Sequence, residues 1–442
     1  MKKDMRNFHE IEDLKDLIKS NKKKIIDWLR EAISIPSENK PPAGNESKFQ
    51  RFISEECKNI GLEVDEYFPT DISDIEDHPF WLRGRGYSEY NRFNVDAVWD
   101  GDVSDTSGET EDARSIIFSG HGDVAPREPG PWKITSPFDP LLEGGKLYGR
   151  GSADMKGGLA AAFWAIKLLK ESGFRPKGRV VFESVVDEEY AGGNGTLAAR
   201  LRGFNADLAV VPEPTGMQIC PASMGAFLGD IFVRGQAGMP YTGHEIPNPV
   251  YGIGRVIERF KIFEEEWSES NKHPLFPGEG KKLRVVLYGL SSAEKTEFIQ
   301  MGIPSFSKLS WIVWCYPGMD EKTFYSRFLK YWDECKRDGE LQKYDVTVEK
   351  TYHFVRPFET PIDNEGVKLV IQAFKSFSGK EPSVEGAPFS CDLGVYGEVG
   401  HMPSVLLGPR GENLHGADEY VLVDDVINLT GIFATIILLG TG

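Results

Sequence analysis

Apolar and polar positions follow two rhythms along this chain. From Leu14 to Ile35 the apolar residues recur at helical spacing with lysines between them. That spacing predicts an opening amphipathic helix, with the run Lys22 to Lys24 on its solvated face. Ser115–Ser119, Arg179–Val186 and Leu208–Val211 are short β-prone runs. Polar residues follow each one: Gly120-His121, Asp187-Glu188-Glu189 and Pro212-Glu213-Pro214. Between the first two runs lies a glycine-rich stretch, Gly151 to Gly158, and then an Ala/Leu-rich helix to about Leu169. Strands alternating with helices predict an α/β layer built on a largely parallel sheet. Ligands collect at the carboxyl ends of the strands in such sheets, so the polar clusters are expected to converge at one edge.

After about Gly216 the rhythm changes. Residues 217–355 are rich in aromatics, among them Trp267, Trp311, Trp314 and Trp332, and show little strand–helix alternation. The α/β character returns at Pro361, with a helix near Val367–Phe377 and a strand at Ser404–Leu407. The simplest organisation is one α/β domain, 1–216 with 356–442, interrupted by an inserted α+β domain at 217–355. The acidic, Ser/Thr/Gly-rich stretch Asp100–Asp112 reads as an exposed loop. The apolar stretch Val426–Leu439 contains Asn428, Thr430 and Gly431 and reads as a buried core helix rather than a bilayer span.

Charge and cysteine usage narrow the function classes. The formal net charge of -17 disfavours nucleic acid and anionic lipid as partners. Cys57, Cys220, Cys315, Cys335 and Cys391 are odd in number, widely spaced and form no CxxC, which fits reduced cysteines and gives no support for a cysteine zinc knuckle. The polar N-terminus shows no secretory h-region, so a cytoplasmic protein is the expectation.

Five clusters carry candidate chemistry. In Ser119-Gly-His121-Gly-Asp123, a histidine at a strand end can offer a ring nitrogen to a metal, with Asp123 placed to take the other N–H. In Gly149-Arg-Gly-Ser-Ala-Asp154-Met-Lys156-Gly-Gly, glycines free the backbone around Asp154, whose two oxygens can bridge two ions. A phosphate loop is excluded there by the spacing and the central carboxylate. Asp187-Glu188-Glu189, Glu213 between two prolines, and Asn413-Leu-His415-Gly-Ala-Asp418-Glu419 complete the set. Each is modest alone, and an acidic triplet is more often simply solvated. Together they offer two histidines and three carboxylates, a set suited to zinc with a position left open for water, and a spare glutamate to act as general base.

The strings SGHGDVAP, LYGRGSADMKGG, VVDEEYAGGNGT, VVPEPT and LHGADE, in this order, resemble the di-zinc aminoacylase, acetylornithine deacetylase, succinyl-diaminopimelate desuccinylase and glutamate carboxypeptidase family. The resemblance implies a hydrolase of N-acyl amino acids or short peptides holding two divalent ions, Zn²⁺ first, with Co²⁺ or Mn²⁺ suiting the same ligands. It implies that Asp154 bridges both ions. His121 and Glu213 would complete one site, and Glu189 and His415 the other. Glu188 would be the general base acting on the shared water, and Asp123 would orient His121. It also implies that the insert is a lid through which the chain forms a homodimer.

Two departures stand out. The family's lid commonly carries VxGxxxH, whose histidine supports the developing oxyanion; here the string is Val233-Arg-Gly-Gln-Ala-Gly-Met239. Losing such a donor typically costs about 100- to 1,000-fold in rate. Three readings stay open: His244 takes over through a longer loop, the substrate is activated differently, or the member performs condensation, cyclisation or acyl transfer instead of hydrolysis. Trp314 stands where several members carry an arginine for the substrate carboxylate, which leaves Arg356 and Arg410 as candidates. A non-catalytic scaffold is disfavoured because every metal ligand and the base are retained.

Overall fold

The computed structural model describes residues 11–101, 114–127, 130–190, 192–239, 243, 245–292, 302–337, 339–350 and 354–442. It divides into two compact units, one of 1–222, 359–387 and 391–442, the other of 223–358 and 388–390. Residues 217–222, grouped by sequence with the insert, stay with the first unit. The backbone there pairs with the returning chain, Met217 N to Gly408 O at 2.8 Å and Cys220 N to Leu406 O at 2.9 Å.

In chain order the first unit contributes α1 (Ile11–Ser34), α2 (Ser47–Asn59), β1 (Glu63–Tyr67), β2 (Asn94–Trp99), β3 (Ile116–His121), α3 (Gly157–Ser172), β4 (Val180–Val185), α4 (Asn194–Arg202) and β5 (Leu208–Val211). The second contributes β6 (Gly225–Arg234), α5 (Pro249–Ser270), β7 (Val285–Ser292), β8 (Phe306–Cys315), α6 (Glu321–Cys335) and β9 (Asp345–Lys350). The first unit then resumes with α7 (Glu365–Ser378), α8 (Leu393–Glu398), β10 (Ser404–Leu406) and α9 (Val423–Thr441). The acidic stretch expected as a loop lies almost wholly outside the described residues.

The first unit is built on a six-stranded sheet of order β10-β5-β3-β4-β2-β1. Its first four strands are parallel, β2 runs antiparallel beside β4, and β1 pairs antiparallel with β2, so that β2 alone is reversed. Ile116 and Phe118 of β3 and Val180 and Phe182 of β4 join a core shared with α1, α2, α3, α7 and α9. A smaller cluster on Tyr67 of β1 packs with Leu197, Ala198 and Ala199 of α4. Burial on both sides explains why β3, β4 and β5 are continuous apolar runs rather than alternating ones. Helix α1 shows the expected stripe, burying Leu14, Ile18, Ile25, Leu29 and Ile33. Helix α9 is long and apolar enough to cross a membrane by composition, yet most of it is buried among the helices of this unit. No disulfide joins the five cysteines, all of which are buried.

The second unit is an antiparallel sheet of order β7-β8-β6-β9 with helices α5 and α6. The aromatics that marked this segment are largely its core. Phe227 stacks on Phe324 and Phe354, and Trp311 and Trp332 are wholly buried beside Phe328 and Phe260. Side chains start both helices: Asn248 accepts from Val250 N and Asp320 from Thr323 N.

Candidate metal centre

The polar clusters meet at the carboxyl edge of the parallel strands. His121 is the last residue of β3, Asp187–Glu189 follow β4, and Glu213 follows β5. Asp154 sits in the turn before α3 with non-helical backbone angles, φ −114° and ψ 92°. Gly158 is needed for this approach, because a Cβ there would stand 2.0 Å from the Pro212 carbonyl oxygen. His415 is in the left-handed region at φ 59°, as are Asn413 and Asp418 in the same segment.

Asp154 divides its two oxygens between the histidines. Its Oδ1 is 3.2 Å from His121 Nε2, and its Oδ2 is 3.3 Å from His415 Nε2. Around His121 Nε2 stand Glu213 Oε1 at 3.6 Å and Glu188 Oε2 at 3.8 Å. Against His415 Nε2 stands Glu189 Oε2 at 2.8 Å. Asp154 thus stands between two groups of donors, His121 with Glu213 and Glu188 on one side and His415 with Glu189 on the other.

The electrostatics show a cluster short of positive charge. Burial works to lower the His121 pKa, but the bond to Asp154 and the charges of Glu213 and Glu188 hold it well above its usual value. Glu189 and Asp154 push His415 up to about 11. Burial raises Glu188 and Glu213 well above the carboxylate range, and their neighbouring carboxylates add to the effect. Four carboxylates and two imidazoles drawn together in this way are what divalent cations neutralise, and the N/O donor set suits zinc, cobalt or manganese. The residues therefore fit a dinuclear site.

Asp123 behaves differently from the sequence expectation. The His121 Nδ1 bond is to the backbone carbonyl of Asp123 at 2.8 Å, while the carboxylate lies 3.8 Å away. That carboxylate instead accepts from the backbone N–H of Glu188 at 3.2 Å and of Glu189 at 3.0 Å. It fixes the loop that carries the candidate base and a candidate ligand.

A buried network that sequence reasoning passed over holds Asp123 in turn. Asn39 Nδ2 donates to Asp123 at 2.9 Å and to Asp187 at 3.0 Å. Arg92, wholly buried, pairs with Glu46 at 2.6 Å and Asp187 at 3.1 Å. Tyr87 donates to Asp187 at 2.5 Å. Asp187 adopts a left-handed φ of 69°, and Gly192 closes over it, since a Cβ at Gly192 would lie 1.4 Å from its carbonyl oxygen. Glu419 does the same for Asp154. It accepts from Gly151 N at 2.9 Å, Ala153 N at 3.0 Å and Asp154 N at 3.2 Å, and pairs with Arg150 at 2.8 Å. The segment bearing His415 is thereby tied to the turn bearing Asp154. A lone Arg92 before an apolar strand and an asparagine ahead of two prolines were the only sequence signs of these partners.

Met239 is 42% exposed; His244, the suggested replacement, lies outside the described residues. Arg410 is committed to Asp425 through bonds of 2.6 and 2.7 Å, and Arg356 lies over the Phe354 ring in the second unit.

Residues 117–439 match the family described as Peptidase family M20/M25/M40. The chain belongs to this family. Among its M20 relatives, an N-formyl-4-amino-5-aminomethyl-2-methylpyrimidine deformylase of Halalkalibacterium halodurans is 26% identical, covering 97% of this chain and 96% of the relative. A succinyl-diaminopimelate desuccinylase of Methylobacterium radiotolerans is 27% identical over 73% of this chain and 80% of its own. The dipeptidase Dug1p of Saccharomyces cerevisiae shares the fold at a TM-score of 0.76 with 14% identity, covering 98% and 99% of the two chains. So does a Bacillus subtilis M20 protein described as a dinuclear metal binding peptidase, at a TM-score of 0.59 with 14% identity, covering 96% and 99%. This M20 chain is a metal-dependent hydrolase of the amidohydrolase and peptidase type. The condensing, cyclising or transferring alternative raised by Met239 finds no support, since these relatives are named for removing a formyl or succinyl group.

Proposed function

We propose that this enzyme hydrolyses the amide bond of a small N-acyl substrate, an N-acyl amino acid or short peptide in the first instance, at a pair of zinc ions. The observation that carries the reading is the division of Asp154 between His121 and His415, with Glu188 beside the first pair. His121, Asp154 and Glu213 would hold one ion and His415, Asp154 and Glu189 the other. Such ions lower the pKa of a water molecule and polarise an amide carbonyl. Glu188 would take a proton from the attacking water and deliver it to the departing amine, a role that suits a carboxyl whose burial raises its proton affinity. Asp123 keeps Glu188 in place through its backbone.

One observation favours a second substrate class. Trp314 stands where the resemblance places, in several members, an arginine for the substrate carboxylate, and Arg410 is held by Asp425. A substrate without an α-carboxylate, such as an N-formylated or N-acetylated aromatic amine, then suits the site, and the deformylase relative spans nearly the whole chain. A mass-spectrometric screen of zinc-loaded enzyme separates the two. The pool holds N-formyl, N-acetyl and N-succinyl amino acids, dipeptides, and N-formyl arylmethylamines. Cleavage of one class that stops with a chelator and returns with Zn²⁺ is expected. Absence of any cleavage with two ions bound would refute the proposal.

We assign to the second unit the roles of lid and dimerisation element. Its edge strand β7 exposes Val286, Tyr288 and Leu290, the last by 63%. Apolar side chains exposed on an edge strand are a liability unless a partner covers them. Sedimentation of the wild type as a dimer, and of Leu290→Lys as a monomer, is expected; a monomeric wild type at micromolar concentration defeats the assignment.

A further inference from the structure

The first unit carries a second cavity with chemistry of its own. It has a volume of about 590 Å³ and lies between α1, α7 and the start of α9. That volume is in the range of small-molecule sites, roughly 300–1,000 Å³. Phe374, Phe377, Ile18 and Met217 supply an apolar floor, while Lys15, Lys19, Lys22, Lys380 and Arg410 line it against a single carboxylate, Asp425. On a chain of net charge -17, five cations around one hollow stand against the general field. Asp425 is spent on Arg410, with a guanidinium held at 2.6 and 2.7 Å and 60% exposed. Lys15 and Lys22 pair with Glu12 and Asp424, each at 2.7 Å, on exposed surface where such pairs hold weakly. Lys19 and Lys380 have no ion pair among the described residues.

We propose that this cavity binds a phosphorylated small molecule with a flat apolar body, of the nucleotide kind. Several lysines acting as point charges match a group bearing more than one negative charge better than they match a monocarboxylate, and ammonium groups on flexible stems are common phosphate partners. The aromatic and thioether floor takes the apolar body. The site differs in kind from the metal centre, whose lining is acidic. It nevertheless borders the same segments: Met217 lies four residues after Glu213, and Arg410 five residues before His415.

Calorimetric titration of the zinc-loaded, full-length enzyme tests this with ADP, inorganic diphosphate and adenosine as probes. Saturable binding of ADP is expected, tighter than either diphosphate or adenosine alone. Lys19→Glu combined with Lys380→Glu is expected to weaken ADP at least about tenfold while metal content stays at the wild-type level. Undiminished ADP binding in that variant would put the anion on the metal ions and overturn the proposal. So would the absence of saturable binding, or ADP binding no better than adenosine. The result is independent of which amide the enzyme cleaves.

Discussion

Glu188→Gln should lower kcat by about 100- to 10,000-fold, the range a positioned acid–base group contributes, while the enzyme keeps two metal ions. The exchange preserves size and removes only the ability to take a proton. The Glu188 backbone N–H, not its side chain, meets Asp123, so the loop should keep its shape. Glu189, whose carboxylate meets His415 and the Ala125 N–H, is untouched and keeps its donor set. KM should change little, because the loss falls on the proton transfer rather than on binding. Steady-state kinetics alongside metal analysis by mass spectrometry gives both readings. A variant that retains most of its kcat, or one that loses an ion, would remove Glu188 from the role of base.

The parts of this molecule that repeat a rhythm were legible in its sequence. Apolar runs gave β3, β4 and β5 almost to the residue, and the stripe from Leu14 gave α1. Local strings also exposed the candidate ligands, because a histidine or glutamate following a strand is an unusual neighbour for it. What stayed hidden was long-range. Nothing near Asp123 in the chain says that its carboxylate would cap the Glu188–Glu189 loop while its carbonyl, not its side chain, meets His121. Asn39 and Arg92 are charged or polar residues that look solvent-bound until folding buries them 148 and 95 positions from Asp187. The tryptophans marked the second unit without saying what they do there: Trp267, Trp311 and Trp332 are buried in its core.

Arg92→Met should destabilise the fold by about 3–5 kcal/mol, the cost of breaking a buried ion pair from one side. Arg92, Glu46 and Asp187 are all wholly buried, and the single guanidinium serves both carboxylates and the side-chain oxygen Oδ1 of Asn39. Methionine fills much of the volume but leaves Glu46 without the one cation that pairs with it among the described residues. Burial already pushes Glu46 up to about 7, with Arg92 pulling the other way. Without that pull its folded pKa rises further. A carboxyl raised in the folded state contributes stability that is present below its unfolded pKa and lost as the pH climbs through the folded value. Both folded proteins keep the Glu46 proton in acid, so the deficit of Arg92→Met should be smallest below about pH 7 and grow as the pH climbs above it. Adding Glu46→Gln should recover part of it, because Asp187 still has Tyr87, Asn39 and Arg85. Urea melts of the two variants across pH read this directly. A deficit that does not depend on pH, or that Glu46→Gln fails to relieve, would mean that Arg92 acts by packing alone. If the account holds, the surviving folded fraction should also turn over more slowly, since Asp187 and Asn39 are the far end of the chain of bonds that sets Glu188 beside the metal centre.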